Sequence, residues 1–153
     1  SDIKKRGIKI GKIQISAALK AEMNSSGNDR KSIKQNFEKF NEPVYLHQVI
    51  AKTRDGKLLR YSDLPEALKE KDNPLVNEWR AHFHVPIFAE KFDLLSSTQD
   101  EITKVLSLQK KEPFTNHLEV ETYTWEVLPR DLRLPLQDSI TRELEWVKRI
   151  LED

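Results

Sequence analysis

Three strand-like segments held apart by helix-like ones constrain this chain more than any other feature. Ile8-Lys9-Ile10-Gly11-Lys12-Ile13-Gln14-Ile15-Ser16 is rich in β-branched residues and reads as a strand. Trp79-Arg80-Ala81-His82-Phe83-His84-Val85-Pro86-Ile87-Phe88 reads as another, its ladder expected to end near Pro86. His117-Leu118-Glu119-Val120-Glu121-Thr122-Tyr123-Thr124-Trp125 is the last. Helical spacing fills the gaps. A short helix is expected over 17–23, and Ile33, Phe37 and Phe40 mark another that stops before Pro43. Ile102, Val105 and Leu108 follow a capping box of Ser97 and Asp100. Leu136, Ile140, Leu144, Val147 and Leu151 form the apolar stripe of a closing helix. One hairpin interrupts the alternation, with strands over 44–53 and 58–61 around an Asp55-Gly56 turn and a short helix capped by Ser62 or Asp63 after it. Outside that hairpin the order is βαβα, which predicts a parallel sheet with helices packed on it. Three such units are too few for an eight-stranded barrel, leaving a small open sheet or part of a barrel.

Composition narrows the partners. At 153 residues the chain has a one-domain length. Its 26 basic and 25 acidic residues nearly cancel, which gives no support to a nucleic-acid or membrane-surface role. Cysteine is absent, so disulfides and thiolate metal sites are excluded. No apolar run approaches a membrane span, and a soluble cytoplasmic protein is the expectation. The chain opens on Ser1-Asp2-Ile3 rather than Met, with Gly7 suited to a left-handed helix cap, and reads as an excised piece of something longer.

Chemistry concentrates on the strands. His82 and His84 stand two apart and project from one face, a workable bidentate spacing for zinc, manganese or iron. Glu119 and Glu121 sit near the end of the last strand, with His117 and Tyr123 on the same face. In a parallel sheet the C-terminal ends of such strands converge on one rim, where Gln14 would join them, and His47 too if the hairpin folds over it. Trp146 reads as a packing residue, and Lys4-Lys5-Arg6 and Lys110-Lys111 as solvated helix ends. Walker, GxGxxG, GxSxG and HExxH motifs are all absent.

The three strands together resemble the closing strands of the xylose-isomerase-like TIM barrels, with His82 and His84 matching the penultimate segment and Glu121-Thr122 the last. Gln14 stands where that superfamily commonly has a metal-binding His. Lys12–Leu19, Pro43–Val49, His82–Ile87 and His117–Trp125 are similar, more closely, to the C-terminal half of the ebo-cluster metabolite-traffic protein family. That resemblance implies an α/β fold, the C-terminal part of a TIM (β/α) barrel over residues 1–153, with a hairpin inserted at about 43–62. It implies a divalent ion (Zn, Mn or Mg), with His82, His84 and Glu121 as metal ligands and catalytic groups. Gln14, His47, Tyr123 and Trp125 would then bind a sugar-like substrate in an isomerase- or epimerase-like reaction. The opposing expectation is a non-catalytic metabolite-binding protein derived from that fold. A partial barrel would also leave strand edges open to self-association.

Overall fold

A computed structural model describes residues 2–23, 27–70, 73–121, 128–130 and 133–152. The first turn is a short helix, α1 (Asp2–Lys5), closed by Gly7 at φ 67°. Ile8 N donates to Ile3 O at 3.2 Å, the six-to-one bond of a Schellman cap. The first expected strand, 8–16, is then reduced to its last residues, and the helix expected after it is a strand instead. β1 (Ile13–Ile15) is short, and after Ser16 the chain enters a second strand, β2 (Ala17–Glu22).

That second strand overturns the expected barrel. Ala, Leu, Lys and Glu favour a helix over 17–23, yet the burial alternates with a period of two. Ala17, Leu19 and Ala21 face the core, while Lys20 and Glu22 face outward. Small apolar residues at alternate positions fit the middle of a sheet, and that packing outweighs intrinsic propensity. The remaining elements are α2 (Gly27–Glu38), the hairpin β3 (Val49–Thr53) and β4 (Leu58–Tyr61), α3 (Leu64–Lys69), β5 (Val76–Val85), β6 (Lys91–Phe92), β7 (Leu95–Ser97), α4 (Gln99–Lys111), β8 (Leu118–Val120) and α5 (Leu136–Glu152).

Six strands form one sheet in the order β4-β3-β5-β2-β7-β6, and every pairing in it is antiparallel. Only β1 and β8 pair in parallel, as a separate two-stranded sheet. The fold is thus mixed α and β with a mainly antiparallel sheet, and three parallel βα units of a TIM barrel are not what these strands build. The hairpin expected as an insertion is part of the main sheet, because β3 pairs with β5 from Val49–Ala81 to Lys52–Glu78.

An antiparallel sheet can leave one face to water. Here Val49, Ala51, Trp79, Ala81 and Phe83 pack inward with Ile33, Phe37 and Phe40 of the α2 segment and Leu64 and Ala67 of α3. Arg30 fastens α2 to the start of β5, donating to Asn73 O at 2.9 Å and Val76 O at 2.7 Å. The hairpin turn, the Asp63 cap and the end of β5 before Pro86 all lie where the residues place them. The capping box does not form. Thr98 is the N-cap of α4, its hydroxyl accepts Ala18 N at 2.9 Å, and Asp100 pairs with Lys20.

The closing helix is present but rotated from its expected stripe. Ser139, Glu143 and Val147 are its buried residues, whereas Leu136 and Leu144 are more than half exposed. Glu143 turns inward because Ile87 N, in the turn after β5, needs an acceptor, and Glu143 Oε1 supplies it at 3.1 Å. Trp146 packs against the core as expected. No helix among the described residues is long and apolar enough to cross a membrane.

Candidate functional site

β5 carries the site on its outer face. Its alternation sends Trp79, Ala81, Phe83 and Val85 inward and leaves His82 and His84 on the opposite side. His82 is exposed, and its N–H bonds Gln48 O at 2.8 Å, where the chain enters β3. His84 is largely covered, its side chain only 10% exposed. The parallel pair brings it one charged neighbour. Glu121 N donates to Ile15 O at 3.0 Å, which continues the β1–β8 ladder by one residue and sets the Glu121 carboxylate against the β5 strand end.

The side chains then form a line. Glu121 Oε2 lies 3.5 Å from His84 Nδ1, and His84 Nε2 lies 2.9 Å from His82 Nε2. Burial pushes the His84 imidazole below its ordinary range. The Glu121 carboxylate opposes that shift, and positive charge on His82 or His47 would add to it. The 3.5 Å approach of Glu121 is a charge contact and not a hydrogen bond; that carboxylate favours the tautomer with the proton on Nδ1, which would present the Nε2 lone pair to His82.

This geometry changes the role expected for Glu121. Glu121 addresses Nδ1 and His82 addresses Nε2, two ring nitrogens that point in divergent directions. The three side chains therefore do not converge on one point, and no group of three or more His, Asp or Glu side chains among the described residues is placed to hold a metal ion. The histidine pair by itself does fit one. Imidazole nitrogens bound to a single ion at about 2.0–2.1 Å stand about 2.9 Å apart at a right angle and about 3.4 Å apart at the tetrahedral angle. The observed 2.9 Å lies at the lower end of that span, and the exposed His82 ring has room to re-aim. Glu121 then stands where metal-ligating histidines usually have a carboxylate, on the other ring nitrogen.

His47 occupies a different place from the one expected. It is 4% exposed and stacks on Phe83 with ring centroids 4.7 Å apart. Its Nε2 is 3.3 Å from Glu42 Oε1, and its backbone N–H donates to Asp63 Oδ1 at 2.9 Å. Burial lowers its pKa, against the raising effects of Glu42 and Asp63. His47 is within electrostatic reach of both other histidines but offers them no open nitrogen, since Nδ1 is buried without a hydrogen-bond partner among the described residues.

Gln14 is exposed on β1 and lies opposite Glu119, which pairs with Lys12. It lines a small cavity of about 180 Å³ with Ser16, Thr98 and Glu101 rather than joining the histidines. His117 is exposed at the far end of β8. Tyr123 and Trp125 lie outside the described residues. Glu42 and Asp63 are the partners that sequence reasoning missed, Glu42 because it reads only as the residue before Pro43.

No protein family, curated protein or solved structure matches this chain.

Proposed function

We propose that the protein binds a divalent transition-metal ion through His82 Nε2 and His84 Nε2 and presents it to a small, oxygen-rich metabolite of the sugar type. The observation that carries this reading is the 2.9 Å approach of the two Nε2 atoms with Glu121 set on Nδ1 of the inner ring. His84 supplies the fixed ligand, held by burial and Glu121. His82 supplies the mobile one, open to solvent and able to adjust to what binds. An ion held there would polarise a hydroxy-carbonyl group or lower the pKa of a water, as isomerase- or epimerase-like chemistry requires.

A second reading has its own support. Two converging histidines are fewer protein ligands than a catalytic zinc site usually has, and this favours a non-catalytic metabolite-binding role in which the small molecule completes the coordination shell. Calorimetric titration with Zn²⁺ and Mn²⁺ tests the shared part of both readings. One ion bound per chain, lost in both His82→Ala and His84→Ala and kept in His117→Ala, is the expected result. Binding that survives both substitutions removes the metal reading. Turnover of aldose and ketose phosphates by the metal-loaded protein then separates enzyme from carrier.

A further inference from the structure

At the opposite end of the β1–β8 pair from Glu121 lies a groove of about 980 Å³. Ile3 and Ile8 line it from α1 and its cap, Val105 and Leu108 from α4, and Phe114 from the loop before β8. Each of the five is at least 36% exposed, so a continuous run of large apolar side chains faces solvent. The volume falls at the upper end of the range usual for small-molecule sites, roughly 300–1,000 Å³.

The walls are fixed rather than loose. The Schellman cap at Gly7 locks Ile8 against the α1 turn. On the other side the buried Gln109 side chain donates to Thr115 O at 2.7 Å and accepts Phe114 N at 3.1 Å. Thr115 Oγ donates to Gly11 O at 2.8 Å, tying the two walls together across the floor. A groove held this way needs little ordering to receive a ligand.

Its charge selects the ligand. Lys9 and Lys111 line it too, both are exposed, and neither forms an ion pair among the described residues. Glu112 also lines the groove and has an interaction of its own. An apolar trough lined also by unpaired ammonium groups matches a hydrocarbon chain ending in an anion. A second copy of the chain is the poorer occupant, because a two-fold contact over this groove would bring both pairs of lysines together.

We propose that this groove is a binding site for a free medium- or long-chain carboxylate, its chain lying along Ile8, Val105, Leu108 and Phe114 and its carboxylate between Lys9 and Lys111. The site is independent of the histidine pair and stands or falls separately from it.

Calorimetry with octanoate, decanoate and dodecanoate below their micelle concentrations, alongside dodecanol, tests it on the full chain. The expected result is one site whose affinity rises roughly two- to fourfold with each methylene added. Dodecanoate should bind more tightly than dodecanol, and Lys9→Glu with Lys111→Glu should abolish that preference. Leu108→Glu, at a side chain already 61% exposed, should weaken dodecanoate at least about tenfold. If Leu108→Glu does not fold, the double lysine variant still decides the case. Absence of dodecanoate binding, or equal binding of dodecanoate and dodecanol, overturns the proposal. A wild-type oligomer that Leu108→Glu turns into a monomer, with no uptake of dodecanoate by either, overturns it in favour of a contact between copies.

Discussion

Two histidine–carboxylate pairs flank the same strand, and they end in opposite roles. His47 with Glu42 lies at the entry to β3, and His84 with Glu121 lies at the end of β5. In both, burial lowers the imidazole pKa and a carboxylate works against it. The difference is the second ring nitrogen. That of His47 is sealed inside beside Phe83, whereas that of His84 meets His82, whose own ring is open to solvent. A buried imidazole beside a carboxylate is thus a structural rivet or a reactive group according to where its other nitrogen points. The 42–47 segment thus reads as a contributor to stability, and the 82–84–121 line as the place of the proposed metal binding.

The sharpest way to break that division is to empty the wall between the two pairs. Phe83 is 1% exposed, stacks on His47 and meets Phe40 edge-on at 5.2 Å. Phe83→Ala should lower the unfolding free energy by about 3–5 kcal/mol, read from denaturant melts. A loss below about 1 kcal/mol would mean that the wall is not packed as described.

A third carboxylate shows what burial without an imidazole does. Glu143 has one oxygen on Ile87 N, the other without a hydrogen-bond partner among the described residues, and burial raises its pKa to about 7 from 4.5. A raised folded-state pKa gives stability that is fully present below the unfolded value and is lost as pH rises through the folded one. Glu143→Gln keeps the acceptor and removes the charge. Its advantage over wild type should therefore grow between pH 4.5 and about 7 and level off at about 3 kcal/mol above that. Melts across that range that show no change in the difference would contradict the burial of an ionisable Glu143.

The two carboxylates beside the histidines should then part company. Glu42 accepts Val44 N at 2.6 Å and Tyr45 N at 3.0 Å besides facing His47, so Glu42→Ala should cost about 1–3 kcal/mol. Glu121→Ala should cost less than about 1 kcal/mol, yet weaken metal binding about 10- to 100-fold. Equal stability losses, or metal affinity that follows Glu42, would erase the distinction.

The smallest effect is on acid sensitivity. His47 and His84 both have pKa values depressed below 6.5, so the unfolded chain binds protons first as pH falls. The contribution of these two rings should be level above about pH 6.5 and decline below it, opposite in sign to that of Glu143, so it is read as the difference between each variant and wild type. His84→Gln should soften that decline, and so should His47→Gln. If neither variant changes the acid limb, the two rings are not buried as neutral groups.

Local chemistry was legible in this sequence and topology was not. The Asp55-Gly56 turn, the Asp63 cap, the stop before Pro86 and the shared face of His82 and His84 each follow from a few neighbouring residues. The barrel reading failed at Ala17–Glu22, where helix-favouring residues form a central strand whose partners, β5 and β7, are distant in sequence. It failed again at Lys91–Phe92 and Leu95–Ser97, strands too short to announce themselves. For the site, the His82–His84 spacing was visible, but which nitrogen Glu121 addresses depends on β8 lying beside β1. Glu143 was hidden for a similar reason, since an apolar stripe along α5 gives no hint that a carboxylate on another face is the one turned inward.

The most direct test is a long-range ¹H–¹⁵N correlation spectrum of the histidine rings, recorded with and without Zn²⁺. Without metal, His84 should be protonated on Nδ1 with an unprotonated Nε2. With Zn²⁺, Nε2 of both His82 and His84 should shift together, while His47 and the Nδ1 proton of His84 stay in place. Spectra that Zn²⁺ leaves unchanged, or a shift at His84 Nδ1 instead of Nε2, would contradict the assignment of these histidines as the ligands and of Glu121 as the group that orients them.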